Sequence, residues 1–334
     1  MTVHVALPHP SAVPGVEGLD LALRCPQCGR GIGSLGEASS SDSTLLVCPG
    51  CRFHLRRERG IWRTLLPERQ TYFAQFLRDY EFIRAAEGRG SDDPQHYLGL
   101  PFHDDSGRNS AQWAIRARTF RYIERRLLPP IAARLHRRLR ILDLGAGNGW
   151  MSYRLARQGH ALAAVDLRID DRDGLGAAIH YRMALPALFP RFQAELDTLP
   201  FADGQFDLVI FNASFHYSEN PQKTLAEALR CARPAAAILI ADTPWYRRDE
   251  SGRRMVEERR AAFAARYGRP SDALASLEYL TDRRLRETED RFGIRWRIHS
   301  PYYGLRWSLR PLWAKLQGKR EPSRFRIYEA KVDR

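Results

Sequence analysis

Two pairs of cysteines near the N-terminus have the residue type and spacing of a metal site. Cys25-Pro-Gln-Cys28 and Cys48-Pro-Gly-Cys51 are separated by nineteen residues and contain four of the five cysteines in the chain. Four thiolates can enclose one tetrahedral Zn²⁺, with each pair supplying two sulfurs. Paired disulfides or a redox dithiol are the alternatives, and a reducing compartment disfavours disulfides. We predict zinc bound by Cys25, Cys28, Cys48 and Cys51, and because sulfur fills all four positions the ion would be structural.

The second chemical signal is a glycine-rich turn after an apolar strand. Residues 141–144 read Ile-Leu-Asp-Leu and run into Gly-Ala-Gly-Asn-Gly at residues 145–149. Without a Cβ, the backbone at Gly145, Gly147 and Gly149 can approach a ligand closely. The turn departs from the GxGxxG pattern of dinucleotide-binding sites, which place a pyrophosphate at a helix N-terminus. Asp143, two residues before the first glycine, suits instead the ammonium group of a bound amino acid.

A carboxylate also ends the next predicted strand. Asp166 follows Ala163-Ala164-Val165 and lies seventeen residues after Gly149. An acid at this place can accept hydrogen bonds from the two hydroxyl groups of a ribose. NAD-dependent enzymes use an acid in the same way. Asp166 alone therefore does not distinguish a dinucleotide-binding site from a site for a ligand that contains an amino acid.

The passage at residues 195–209 distinguishes these two kinds of site. It contains Leu199-Pro200-Phe201 and, after a short turn, Phe206-Asp207 at the start of a strand. With the glycine turn and Asp166, it resembles the type-11 family of class I S-adenosylmethionine (SAM)-dependent methyltransferases, over residues 139–242. The resemblance implies SAM as cofactor, with Glu195 accepting a hydrogen bond from the adenine amino group and Leu196 offering its backbone N–H to the ring.

The same resemblance indicates where methyl transfer would occur. Asn212-Ala-Ser-Phe-His216-Tyr217 matches the segment that follows the fourth strand of the family, so Asn212 is a predicted cofactor-binding residue. His216 would then lie beside the methyl group, as a general base or as a group that orients the acceptor. Tyr217 and Tyr246 are the next candidates. The alternative for His216 is a packing role at the end of a strand.

The cysteine segment has its own resemblance. Together with Arg57-Glu-Arg-Gly-Ile-Trp-Arg-Thr-Leu-Leu66 it is similar to the zinc ribbons of the tRNA-methyltransferase activator and of some bacterial methyltransferases. A zinc ribbon followed by a methyltransferase domain is the layout of the bacterial enzymes that methylate guanine N1 of large ribosomal RNA. That similarity concerns the layout and carries little information about the acceptor.

These signals define a domain organisation. We predict a lead-in at 1–20, a zinc ribbon at 21–66, a helical linker or lid at 67–138 and a SAM-dependent methyltransferase domain at 139–334. Short apolar runs that alternate with helical stretches predict an α/β fold with a Rossmann-like, mostly parallel sheet. The segments Ile294–Ser300 and Arg324–Val332 are expected to close that sheet as antiparallel C-terminal strands. We expect the ribbon to fold around its metal, separately from the sheet domain.

Charge leaves the acceptor open. The formal net charge is +14, and residues 291–334 alone carry twelve Lys or Arg against three acids. A small or lipid-like metabolite is the first hypothesis, because many members of the family act on one. RNA is the second, favoured by this basic tail and by its aromatic residues, Trp296, Tyr302, Tyr303, Trp307 and Trp313. A non-catalytic binding protein is the third, although the intact acids and glycines count against it.

The location of the protein follows from what the N-terminal sequence lacks. No apolar run approaches the ~18 residues that cross a bilayer. The first eighteen residues have neither a basic start nor a continuous apolar stretch, so they do not resemble a signal peptide. We therefore predict a cytoplasmic protein without a transmembrane segment.

Overall fold

The computed structural model describes residues 19–36, 45–268 and 274–332. The predicted lead-in lies outside these residues except for Leu19 and Asp20. The described strands are β1 (Ala22–Arg24), β2 (Gly31–Ser34), β3 (Leu45–Val47), β4 (His54–Glu58), β5 (Ile61–Arg63), β6 (Arg140–Leu144), β7 (Ala161–Asp166), β8 (Arg191–Gln193), β9 (Phe206–Asn212), β10 (Ala232–Ala241), β11 (Arg297–His299) and β12 (Ile327–Lys331).

Seven of these strands form a Rossmann-like, mostly parallel sheet. Their order is β8-β7-β6-β9-β10-β12-β11. Strands β6 to β10 are parallel, and β12 pairs antiparallel with β10 and with β11. Every residue of β9 is buried, as expected for a parallel strand covered by helices on both faces. The predicted fold class, including its antiparallel C-terminal strand, is confirmed.

The helices lie before, between and after the strands of this sheet. They are α1 (Pro67–Ala86), α2 (Pro94–Gly99), α3 (Ser110–Tyr122), α4 (Leu128–Leu135), α5 (Trp150–Ala156), α6 (Pro221–Cys231), α7 (Asp249–Tyr267), α8 (Asp282–Phe292) and α9 (Leu305–Leu316). A π-helical turn joins α3 to α4, where the two prolines at 129 and 130 occupy the first turn. Among the described residues, no helix combines the length and the apolarity needed to cross a bilayer.

The cysteine segment shares the sheet and the core of the large domain. Strands β3, β4 and β5 form an antiparallel ribbon, and β5 pairs in parallel with β8, which extends the sheet to ten strands. Leu23, Leu55 and Trp62 pack in one apolar cluster with Phe192 and Phe201. This differs from the separate module expected from the sequence. Strands of three to five residues bury too little apolar surface to form a core alone.

Candidate functional site

A cavity of about 470 Å³ lies at the carboxyl ends of β6, β7, β9 and β10. Helices α1, α3 and α7 supply the opposite wall. In an open α/β sheet, ligands bind at this edge, beside the point where the strand order reverses. The predicted site residues that line the cavity are Asp143, Gly145, Gly147, Asp166, Leu196, Asn212 and His216.

The glycine turn is shaped by backbone conformation and by close packing. Gly145, Gly147 and Gly149 have φ angles of +74°, +56° and +76°, which residues with a Cβ rarely adopt. A Cβ on Gly145 would lie 2.2 Å from the Cβ of Ser214. Gly149 does not line the cavity: it caps α5, and a Cβ there would meet the ring of Phe189 at 3.1 Å. Gly145 and Gly147 therefore form the ligand-facing part of the turn.

The two predicted acids have different surroundings. Asp143 is buried and accepts a hydrogen bond from Ser152 Oγ at 2.7 Å. Burial raises the pKa of the Asp143 carboxyl to about 6. Asp166 accepts hydrogen bonds from the backbone N–H groups of Gly147 at 2.7 Å and Arg168 at 2.8 Å. The glycine turn is thus tied to the end of β7, and burial also raises the pKa of Asp166.

Glu195 lies outside the lining of the cavity. Arg69 of α1 donates three hydrogen bonds to its carboxylate, at 2.7 to 3.1 Å. Its neighbours in the chain, Ala194 and Leu196, do line the cavity. The adenine-binding role implied for Glu195 stays a prediction, and Arg69 was missed because no spacing rule connects residues 126 positions apart.

His216 lines the cavity with a neutral ring. Burial, together with the nearby guanidinium groups of Arg259 and Arg116, lowers the pKa of His216 to about 3. Its Nδ1 atom is buried and has no hydrogen-bond partner among the described residues. Tyr217 also lines the cavity, and its hydroxyl lies 3.1 Å from that of Tyr80. Tyr246 is buried elsewhere and is not among the lining residues.

The wall opposite the glycine turn contains charged groups that the sequence did not indicate. Arg116 lines the cavity and makes no hydrogen bond or ion pair with any described residue; its guanidinium lies 4.7 Å from the ring of Trp113. Burial lowers the pKa of Arg116 to about 10, with Arg84 and Arg89 contributing, so the group stays protonated at neutral pH. The nearby Asp242 carboxylate opposes this fall in pKa without forming an ion pair, so the guanidinium can still bind an anion.

Asp242 lies at the end of β10 in the same part of the cavity. Thr119 Oγ donates to one carboxylate oxygen at 2.6 Å, while the other oxygen is buried without a partner. Because Thr119 donates its hydroxyl proton to Asp242, the hydroxyl of Tyr303 donates to Thr119 Oγ at 2.9 Å. Burial raises the pKa of Asp242. Among the described residues of the cavity, several buried polar atoms thus have no hydrogen-bond partner, which is unusual away from binding sites.

The four predicted metal ligands converge at a separate place. The Sγ atoms of Cys25, Cys28, Cys48 and Cys51 all lie within 4.8 Å of one another. The Sγ–Sγ distances are 3.5 Å for Cys25–Cys51 and 3.5 Å for Cys28–Cys48, and none of the four is in a disulfide. Zinc–sulfur bonds of ~2.3 Å in a tetrahedron place sulfurs ~3.8 Å apart. The backbone N–H groups of Cys51 and Gly50 lower the pKa of Cys48 to about 6, which favours its thiolate.

Comparison with known proteins bears on the sheet domain. Residues 142–240 match the model of a family described as "Methyltransferase domain". An uncharacterized methyltransferase of Mycobacterium tuberculosis is 32% identical over 123 residues, covering 37% of this chain and 44% of the relative. A malonyl-[acyl-carrier protein] O-methyltransferase of Erwinia pyrifoliae is 29% identical over 103 residues, covering 31% and 37%.

A demethylmenaquinone methyltransferase of Clavibacter sepedonicus is 33% identical over 103 residues, covering 31% of this chain and 40% of the relative. The chain therefore spans less than half the length of each of these three relatives. The matched segment runs from β6 to β10 and includes the glycine turn, Asp166, Asn212 and His216. Residues 142–240 are thus similar to a methyltransferase domain, and they lie within a Rossmann-like sheet.

Proposed function

We propose that this protein is a SAM-dependent methyltransferase whose acceptor is a small, lipid-like molecule with an anionic group. The observation that carries the proposal is one continuous cavity. It joins the glycine turn and Asp166 to a chamber lined by apolar side chains and by Arg116. A cofactor at one end and an acceptor at the other would share that space, which is what direct transfer between them requires.

The cofactor half suits the parts of SAM. Asp166, at the end of β7, would accept hydrogen bonds from the ribose hydroxyls, and the carboxylate of Asp143 would attract the ammonium group. Gly145 and Gly147 let the backbone approach the methionine portion without a Cβ in between. When bound, SAM supplies a methyl group on a positively charged sulfur, which a nucleophile displaces in line.

The acceptor half suits an apolar molecule with one negative charge. Its apolar surface comes from α1, α3, α7 and two loop segments, through Phe76, Ile83, Trp113, Ile115, Phe263, Leu274 and Phe325. Arg116 would bind the anionic group, since its guanidinium has no partner among the described residues. His216 has a pKa of about 3, which makes it a weak base. We therefore assign it to orienting the acceptor through a hydrogen bond.

The names of two relatives support this class of acceptor. One name specifies malonyl-[acyl-carrier protein] and the other demethylmenaquinone. RNA gains no comparable support from the names of the relatives, and two of the five aromatic residues of the basic tail, Trp296 and Tyr303, are buried in the domain. Trp296 donates from its indole N–H to Thr288 at 2.9 Å, and Tyr303 donates to Thr119, so both rings serve the fold.

We also propose that the cysteine cluster binds one structural zinc ion. The donor set fits the metal, since four thiol sulfurs face one another at distances suited to a tetrahedron. The cluster holds the turns of two hairpins: β1-β2 forms a two-stranded sheet of its own, and β3-β4 joins the main sheet through β5. Zinc would therefore stabilise the edge of the sheet next to β8.

Two measurements test the proposed function. Asp166→Ala removes charge-assisted hydrogen bonds worth ~1.5–3 kcal/mol, so SAM should bind about 10–100-fold more weakly in calorimetry. Asp290→Ala, an exposed acid on α8, is the matched control and should leave SAM affinity unchanged. Equal affinities for the wild type and Asp166→Ala would exclude Asp166 from the site.

The acceptor is tested by transfer of label from tritiated SAM into an extract of cells that lack the protein. Label in the lipid-soluble or small-molecule fraction is the expected result. Label that appears in RNA would reject the proposed acceptor class and retain the methyltransferase activity. Absence of label in every fraction, with SAM binding intact, would favour the non-catalytic alternative.

A further inference from the structure

Helix α9 exposes its apolar side chains to solvent. Leu305, Leu312 and Leu316 have 66%, 53% and 77% of their surface exposed, and Trp313 has 47% exposed. At 100° per residue, Leu305, Leu309, Leu312 and Leu316 fall on one face of the helix, with Trp313 at its margin. No residue of α9 is buried. A helix that turns a leucine stripe outward is oriented opposite to an ordinary surface helix.

The other face of α9 attaches it to the rim of the cavity. The ring of Trp307 stacks on that of Phe325, with centroids 5.5 Å apart, and Phe325 lines the cavity. Arg310 lies over the other side of the Trp307 ring, 3.8 Å from its centroid. Just before the helix, Tyr303 is fixed by its hydrogen bond to Thr119. The leucine stripe therefore faces outward because the opposite face is already packed.

The charges on α9 are all of one sign. Residues 305–320 contain five Lys or Arg and no Asp or Glu. Arg306 and Lys315 lie on opposite flanks of the leucine stripe, and Lys319 follows the end of the helix. These three make no ion pair with any described residue, whereas Arg320 pairs with Glu258. The stripe is thus bordered on both sides by free positive charges.

We propose that α9 binds in the plane of an anionic lipid bilayer. Its leucines and Trp313 would enter the boundary between headgroups and acyl chains, and Arg306, Lys315 and Lys319 would contact lipid phosphates. Helices of this kind combine a narrow apolar face, basic flanks and an aromatic residue at the interface. The unpaired cations on both flanks of the stripe favour binding to a negatively charged surface over binding to an apolar groove of another protein. Because Trp307 of α9 stacks on Phe325 at the cavity, binding of α9 would place the rim of the cavity against the bilayer.

Vesicle flotation of the full chain tests this proposal without SAM or acceptor, so its outcome is independent of the proposed function. The wild type should float with phosphatidylcholine vesicles that contain phosphatidylglycerol, and much less with phosphatidylcholine alone. A Leu305→Ser, Leu312→Ser, Leu316→Ser variant should bind at least ~100-fold more weakly, since each leucine loses its apolar burial. Replacing Arg306, Lys315 and Lys319 by Gln should cost about fivefold for each charge.

Two matched control variants make the same apolar-to-Ser and Arg-to-Gln changes at exposed positions outside α9. Ile179→Ser with Met183→Ser removes exposed apolar side chains, and Arg125→Gln with Arg126→Gln removes positive charges in the turn after α3. These variants should float like the wild type, and far-ultraviolet circular dichroism should show that all variants are folded.

Three results would overturn the proposal. The first is a wild type that fails to float with anionic vesicles, and the second is a leucine variant that floats equally well. The third is a dimer in sedimentation velocity that the leucine variant converts to monomer, which would assign the stripe to contact between two copies of the chain.

Discussion

The two halves of the cavity are built in different ways. The cofactor half uses the ends of adjacent parallel strands, with a glycine turn and carboxylates fixed by backbone N–H groups. The acceptor half uses side chains from α1, α3, α7 and a loop near residue 276, which the fold brings together from distant parts of the chain. The first half depends on backbone geometry that many sequences of this fold share. The second depends on side chains that can change without altering the sheet, so acceptor choice can vary while the cofactor site persists.

The largest effect is expected from removal of the proposed zinc site, because β5 of the ribbon pairs with β8 next to the proposed cofactor half of the cavity. Structural zinc contributes ~10–16 kcal/mol in small zinc modules, comparable with the whole stability of a domain. Cys48→Ala should therefore lose zinc, lower the melting temperature and abolish SAM binding.

Metal analysis, thermal unfolding and calorimetry measure these three effects. Cys231→Ala removes a buried cysteine outside the cluster, so it should keep the zinc and bind SAM. Normal SAM affinity in a metal-free Cys48→Ala protein would show that the ribbon is energetically separate from the cofactor half, despite the shared sheet.

The next largest effect is expected from Gly145→Ala. The added Cβ would lie 2.2 Å from Ser214, whose hydroxyl is hydrogen bonded to the carbonyl of Leu144, so the turn must shift. We expect SAM to bind more weakly and methyl transfer to slow by ~100-fold, because a displacement of about 1 Å can cost that much in rate at a reacting site.

Gly204→Ala is the matched control for this change. Gly204 also has a positive φ, +64°, but a Cβ there would meet nothing within 4 Å. The control should lose ~1 kcal/mol or more of stability from backbone strain and keep its SAM affinity. Equal loss of SAM binding in both variants would attribute the effect to strain and not to the contact with Ser214.

The same contrast explains what the sequence could predict. Strand, turn and acid at residues 141–149 and 166 are local patterns, and their spacing indicates both the sheet and the cofactor half. Glu195 shows the limit, since its partner Arg69 belongs to a helix that precedes the sheet by many residues. Arg116 and Asp242 likewise come to line the same cavity only when the chain folds. Local sequence patterns predict the backbone conformation of a segment. A contact between distant side chains depends on how the segments pack, and residue spacing does not reveal it.

The ribbon shows a related limit. Its cysteines were predicted from spacing alone, and the structure brings all four sulfurs together. The pairing of β5 with β8 was not predicted. A strand of only three residues, Ile61–Arg63, has too short a hydrophobic pattern to indicate its partner strand. The partner of so short a strand is decided by the core beneath it, where Trp62 packs in one apolar cluster with Phe192.

Arg116→Gln tests the acceptor half. Loss of a charge-assisted contact with an anion costs ~1.5–3 kcal/mol, so KM for an anionic acceptor should rise about 10–100-fold. SAM affinity should change less than threefold, because we place Arg116 on the acceptor side. Arg118→Gln, an exposed arginine on the same helix, is the control. A rise confined to the SAM dissociation constant would assign Arg116 to the carboxylate of the cofactor.

The smallest expected effect is a pH dependence from Asp143, whose buried carboxyl has a pKa of about 6. Only its ionised form attracts an ammonium group, so SAM affinity should fall by about tenfold between pH 7 and pH 5. Stability should respond in the opposite direction. A carboxyl whose folded pKa exceeds its unfolded value adds stability at low pH, and that contribution is lost as the pH rises through about 6.

Asp143→Asn isolates both trends, because the amide does not titrate and can still accept the hydrogen bond from Ser152. The variant should bind SAM weakly at every pH, and its affinity should fall less than that of the wild type between pH 7 and pH 5; the remaining fall would come from Asp166, whose pKa is also raised by burial. Its melting temperature relative to the wild type should increase as the pH rises from about 4 to about 6, where the folded wild type keeps a proton that the unfolded chain has lost, and should level off above that. A wild-type affinity that is equal at pH 5 and pH 7, or an equal fall in Asp143→Asn, would show that Asp143 is not the group that binds the ammonium. The cofactor half would then rely on Asp166 and the backbone of the glycine turn alone.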